Sequence, residues 1–293
     1  MTVLWGLSDR LKLARLGFVT GTRGGGQAWE DYCRDLFLAG VDLILIKEPD
    51  LTPEATRAAI QAGLRAGFGS GRIVGLAQAE LPDAGVDLIH LATRQPVATD
   101  PEEFPLVGRS AESVFEAQRR FEDPALAYVT IGPVRDGDNL SLARGLDLVT
   151  LAAGLAPVAD PASKPWFAVG GISEDNLDAV LEAGARRVFV HRAIAHAVDP
   201  IKTARDWANR LRRLWRDDPE LRDYSAAVRQ GVGRVVSLHA PDEDRRLGRS
   251  PATPCSVAEI PAPNPTTWGD GQPAGPAPLA RDGRPGQPPR GLG

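Results

Sequence analysis

The sequence predicts an α/β protein of the (β/α)8 TIM-barrel class followed by a disordered Pro/Gly-rich tail, and three observations predict it. Apolar runs of strand length alternate with longer amphipathic segments between residues 17 and 215. Strict alternation implies a parallel sheet, and eight such repeats in about 200 residues are the size of a closed barrel. The stretch after the first run, Gly21-Thr22-Arg23-Gly24-Gly25-Gly26, is rich in glycine but lacks the Gly-x-Gly-x-x-Gly spacing of a dinucleotide turn. That weakens the alternative, a doubly wound open sheet.

Strands are expected at residues 17–20, 41–46, 72–76, 86–91, 105–108, 126–131, 165–169 and 187–191, each a short apolar run. Helical patterns follow most of them, at 29–39, 53–66, 111–121, 139–155, 174–183 and 200–215. Thr52 before Pro53 and Asp199 before Pro200 are helix-start signals, and Gly40 and Gly184 are helix-end signals. The connections after the third and fourth strands are too short or too rich in proline for a full helix. The barrel is expected over residues 14–216, a helical extension over 217–238 and the tail over 239–293. In the tail, proline and glycine crowd in and too little apolar surface is present to order the chain, so a flexible appendage is expected.

Composition narrows the function. The 293 residues are 43% apolar, ample for a core, and the formal net charge of −4 argues against a nucleic-acid partner or an anionic membrane surface. Cys33 and Cys255 offer neither a disulfide framework nor zinc-ligand spacing. No run reaches the length of a membrane span and no signal peptide opens the chain, so a cytoplasmic setting is expected.

The most informative segment is residues 165–194, which reads as strand, Gly170-Gly171 turn, helix, strand and helix start. Glycines at a strand end let the backbone approach a ligand, Ser173 is placed to cap the next helix, and the helix N–H groups face the same spot, an arrangement suited to phosphate. In a barrel the chemistry sits where strands end. That rule singles out Lys47, whose plainer alternative is a solvated or Glu48-paired side chain, and His90, whose alternative is a satisfied core histidine. Ser110 also suits a helix N-cap. The arginines of residues 210–216 are expected to form a solvated face opposite Leu211, Leu214 and Trp215.

Leu16-Gly-Phe-Val-Thr20, the stretch from Gly40 to Thr52, Val107-Gly-Arg-Ser110, Ala127-Tyr-Val-Thr-Ile-Gly-Pro133 and the Gly-Gly-Ile segment together resemble the thiamine-phosphate synthase family, which includes the related thiazole tautomerases. The resemblance runs in order over about residues 15 to 212. It implies a TIM barrel of thiamine biosynthesis that joins hydroxymethylpyrimidine diphosphate to a thiazole phosphate and releases pyrophosphate with the help of Mg2+. With the strand-end reading it gives the expected site: catalytic roles for Lys47 and Ser110, phosphate binding by Gly170, Gly171, His191 and, in place of the family's residue, Arg192, and ligand contacts by His90 and Gly132. The expected partner is a small phosphorylated heterocyclic substrate.

The chain departs from the family at several positions. Lys47 stands alone where the family has an amide and two cations. Gly75-Leu76 replaces an Asn-Asp whose carboxylate binds magnesium, and Gln95 lies about where the second magnesium carboxylate belongs. Asp136 and Asp138, in the loop after the sixth strand, are candidate replacements. Residues 137–140 replace a Thr-x-Thr-Lys run, Pro133 stands where tautomerases have a histidine, and Arg192 replaces a small hydroxyl residue. These departures keep open an alternative, a non-catalytic paralogue that binds a phosphorylated thiazole or a related ligand.

Overall fold

The computed structural model describes residues 6–21, 28–48, 50–77, 85–93, 106–135 and 142–231. The chain divides into two compact units, residues 1–241 and 242–293, and every described residue lies in the first. The expected tail at 239–293 is outside the described residues.

Eight parallel strands close into a barrel: β1 (Leu16–Val19), β2 (Leu43–Ile46), β3 (Ile73–Leu76), β4 (Leu88–Leu91), β5 (Val107–Ala111), β6 (Tyr128–Ile131), β7 (Trp166–Val169) and β8 (Val188–Val190). Each pairs with its successor, and β8 returns to β1 with Gly17 opposite Phe189. Closure excludes the open sheet. Around the strands run α2 (Trp29–Ala39), α3 (Pro53–Gly67), α4 (Val114–Glu122), α5 (Leu142–Leu155), α6 (Leu177–Glu182), the short α7 (Arg192–Ala195) and α8 (Pro200–Asp217). Two further helices, α1 (Leu7–Leu13) and α9 (Pro219–Arg229), flank the barrel in sequence. No helix among the described residues is long and apolar enough to cross a membrane.

Parallel strands covered by helices are buried on both faces, so most strand positions are apolar without alternation. The barrel interior is filled by Leu43, Leu45, Ile73, Leu88, Tyr128, Phe167 and Phe189, and Leu11 of α1 and Ala14 join this cluster. Because α1 precedes β1 by only a short link, it closes the N-terminal end of the barrel. Glycines make room for the large interior side chains. A Cβ on Gly17 would lie 2.3 Å from the Phe189 ring, and one on Gly108 would lie 2.0 Å from Tyr128. The larger cluster lies between the outward strand faces and the helices, with Ile44, Ile46, Val74, Ile89, Val129 and Trp207 among its members.

At the same N-terminal end the buried Arg187 donates to Lys12 O at 2.8 Å and to Tyr224 Oη at 3.0 Å. Its guanidinium lies 5.0 Å from the centre of the Trp215 ring. Trp215, Leu221, Tyr224 and Val228 form the small core that ties α9 to α8.

The Thr52 and Asp199 side chains cap α3 and α8, accepting from Ala55 N at 3.3 Å and Lys202 N at 2.8 Å. Two cap expectations are corrected. Ser110 does not cap α4, because β5 extends through Ala111 and Ser113 takes the role by accepting from Glu116 N at 3.3 Å. Ser173 does not cap α6 through its side chain. Its carbonyl receives the N–H groups of Asn176 and Leu177, and the helix starts one turn later, with Asn176 as the N-cap residue.

Candidate active site at the barrel mouth

The C-terminal ends of the strands carry a hydroxyl and imidazole cluster. His90 on β4, Ser110 on β5 and Thr130 on β6 occupy neighbouring strands, with Ser110 opposite Thr130 and His90 opposite Gly108. His90 Nδ1 lies 3.0 Å from Tyr128 Oη, and Nε2 lies 2.9 Å from Ser110 Oγ and 3.3 Å from Thr130 Oγ1. Thr130 Oγ1 donates to Ser110 Oγ at 3.1 Å. Burial first, then the charges of Lys47 and Arg109, push the His90 pKa down to about 3. The ring is therefore neutral, with one donor and one acceptor nitrogen shared between Tyr128 and the two hydroxyls. Burial also raises the Tyr128 phenol well above its ordinary pKa.

Lys47 follows β2 and is exposed. Its backbone N–H donates to the buried Thr20 Oγ1 at 2.9 Å, which anchors the loop to the end of β1. The Lys47 charge depresses both His90 on β4 and His191 beyond β8, so one cation acts on both sides of the mouth. For His191, burial is the largest cause, followed by His196, Arg192 and then Lys47. The His191 ring packs against Gly21, where a Cβ would sit 2.3 Å from Nε2. Its ring centre is 5.9 Å from that of His196. Arg192 opens α7 and is exposed.

Gly170 and Gly171 stand at the end of β7, beside β8, and both adopt positive φ, 89° and 65°. Their neighbour is the segment after β6. Val134 N donates to Val169 O at 2.9 Å and Arg135 N to Gly170 O at 3.0 Å. A Cβ on Gly171 would lie 2.1 Å from Arg135 O, and one on Gly132 would lie 2.0 Å from Val169 O. The three glycines thus let two loops of the mouth lie against each other. Buried Asn176 holds the turn from beneath. Its Nδ2 donates to Gly171 O and its Oδ1 accepts from Ser173 N, each at 2.9 Å. Among the described residues the N–H groups of Gly171 and Ile172 meet no acceptor.

The structure thus places Lys47, His90, Ser110, Gly132, Gly170, Gly171, His191 and Arg192 at strand ends on one side of the barrel. Sequence reasoning missed Tyr128, Thr130, Thr20 and Asn176. Residues 128 and 130 share one face of β6, but the signal is hidden because the alternate face is equally apolar.

A family model described as thiamine monophosphate synthase matches residues 16–194. The chain belongs to the thiamine monophosphate synthase family. A thiamine-phosphate synthase of Thermobifida fusca is 33% identical over 216 residues, covering 70% of this chain and 95% of that protein. One from Streptomyces avermitilis is 32% identical over 219 residues, covering 70% and 96%. A solved thiamine phosphate pyrophosphorylase from Pyrococcus furiosus superposes with a TM-score of 0.56 at 18% identity, covering 76% of this chain and 99% of that one, a likeness of fold.

For this family member the magnesium expectation meets a poor donor set. No group of three or more His, Cys, Asp or Glu gathers among the described residues. β3 ends in Gly75-Leu76, with a buried leucine where an oxygen ligand was expected. Among the described residues the mouth offers imidazoles, hydroxyls, the cations Lys47 and Arg192 and the carboxylate of Glu48 beside Lys47, too few acidic oxygens gathered together for a hard cation. Gln95, Asp136 and Asp138 lie outside the described residues.

Proposed function

We propose that this chain is a cytoplasmic thiamine-phosphate synthase that joins hydroxymethylpyrimidine diphosphate to thiazole phosphate at the mouth of the barrel. One observation carries the reading. Lys47 after β2, the His90–Ser110–Thr130 cluster of β4, β5 and β6, and the Gly170-Gly171 turn after β7 stand at the same, C-terminal end of one closed barrel. Family membership supplies the substrate class.

The reaction needs the bond between the pyrimidine methylene carbon and the diphosphate oxygen to break, the electron pair leaving with pyrophosphate. The thiazole nitrogen lone pair then forms the new C–N bond to the methylene cation. Lys47 offsets the charge that develops on the leaving oxygen. His90 serves by staying neutral: an imidazolium there would repel the cationic intermediate, and burial prevents it from forming. Ser110 and Thr130 hold that ring, and the less buried Ser110 presents its hydroxyl toward the substrate. The N–H groups of Gly171 and Ile172, with Arg192 on the next strand end, form the proposed phosphate cradle. No step is assigned to magnesium, since the described residues do not fit it.

The experiment mixes purified protein with both substrates and Mg2+ and follows thiamine phosphate. Product formation that falls in Lys47→Gln supports the assignment. Absence of product under conditions where a T. fusca enzyme works overturns it, and the binding-only alternative then predicts calorimetric affinity for thiazole phosphate alone.

A further inference from the structure

Arg212 is half-buried and Arg216 exposed, and the two do more than form a solvated face. On α8 they join Arg222 and Arg229 of α9 and Arg15, at the entry to β1, around one groove of about 370 Å³ beside Trp215. Arg212 and Arg216 are four residues apart, and Arg222, Ser225 and Arg229 fall on one face of α9, so helical geometry aims both sets at the same space. Like charges at this spacing oppose each other and work against folding. The described carboxylates beside the groove are already engaged. Asp217 accepts from Arg216 Nε at 2.9 Å, Asp42 Oδ2 lies 3.8 Å from Arg15 Nε and is also engaged by Arg72, and Asp218 is occupied in capping α9. Arg15 Nε is buried without a hydrogen-bond partner. Burial, and then the charges of Arg212, Arg72 and Arg229 against that of Asp42, lower the Arg15 pKa.

We propose that this groove, at the N-terminal end of the barrel and opposite the mouth, binds a small oligophosphate anion. Guanidinium forks match phosphate oxygens in geometry as well as charge. The groove volume is that of a small-ligand site, and a chain of net charge −4 does not offer a nucleic acid an extended basic surface. The Trp215 ring is buried, with the guanidinium carbons of Arg15 and Arg187 at 5.7 and 5.0 Å from its centre, and offers no exposed surface for a base to stack on. The phosphate chain is what the site recognises, whether free or carried on a nucleotide. Being remote from the strand ends that carry Lys47 and Arg192, the site is occupied without competing with substrate.

Calorimetric titration of inorganic triphosphate into the full chain, with chelator and at about 0.15 M salt, tests this. Arg216→Gln/Arg222→Gln alters two exposed side chains and is expected to weaken binding at the groove about tenfold or more, while Lys47→Gln/Arg192→Gln removes only a second equivalent bound at the mouth and leaves the groove equivalent in place. Equal affinity for ATP and triphosphate supports recognition of the phosphate chain. The proposal is overturned if no heat is seen, if binding disappears at this salt concentration and so reflects an adventitious ion only, or if the mouth variant alone abolishes it. It is also overturned if ATP binds while triphosphate does not, or if an acidic peptide occupies the groove more tightly.

Discussion

His90 shows how a buried ionisable group couples chemistry to stability. Its folded pKa of about 3 lies below the ordinary imidazole value of 6.5, so between these values the unfolded chain binds the extra proton. Its contribution is complete above pH 6.5 and is lost as pH falls toward 3, roughly 5 kcal/mol over the window. Urea unfolding at pH 7 and pH 4 is expected to show this slope in the native chain and a flatter one in His90→Gln. Equal slopes would mean that other groups govern acid unfolding. Lys47 is a different case, since it is exposed and contributes little to folding. Lys47→Gln is expected to lower kcat for thiamine phosphate formation about 10²-fold without moving the thermal midpoint. A large loss of stability together with activity would instead make Lys47 a structural residue.

At the scale of elements, the turn after β7 is governed by its neighbours. Gly171 has φ of 65° and sits where a Cβ would meet Arg135 O at 2.1 Å, so Gly171→Ala is expected to cost about 1–3 kcal/mol and to displace the segment after β6. Asn176→Ala removes both bonds that hold the turn and leaves Gly171 O and Ser173 N unpaired, an expected loss of about 1–3 kcal/mol measured by urea denaturation. If Asn176→Ala is neutral, the turn is held by the loop contact alone. The glycine pair was legible in the sequence because two glycines after an apolar run announce a backbone that must come close to something. Whether that partner is a ligand or another loop depends on residues 132–135, more than thirty positions away, and only folding brings them together. The same limit explains the cap of α6. Ser173 carries the usual signal, but Asn176 spans the turn with both a donor and an acceptor and so displaces the helix start. Strand existence was readable from apolar runs and strand ends were not, because β5 continues through the polar Arg109 and Ser110 into the mouth. Thr130 and Tyr128 stayed hidden for a related reason, since burial on both faces of a parallel strand erases the alternation that marks an inward side chain.

At the scale of the whole molecule, the barrel is packed from one end and carries the proposed site at the other. Eight strands and their order follow from alternation alone, but the interior layer does not, because it is completed by a helix that precedes the first strand. Leu11 of α1 is 1% exposed and lies in the same cluster as Leu43, Tyr128, Phe167 and Phe189. Gly17, Gly75 and Gly108 give up side-chain volume to those rings and to Leu88, so the interior is closely filled. Leu11→Ala is therefore expected to cost about 2–4 kcal/mol, the transfer term plus a cavity that relaxes poorly. Because α1 sits at the end of the strands opposite Lys47, His90 and Gly171, the folded fraction of the variant is expected to keep its affinity for thiazole phosphate. Urea denaturation with parallel calorimetry on the same sample separates the two effects. A loss below about 1 kcal/mol would show that α1 rests on the barrel instead of filling it, whereas weakened binding at full folding would show that packing at the closed end sets the shape of the mouth.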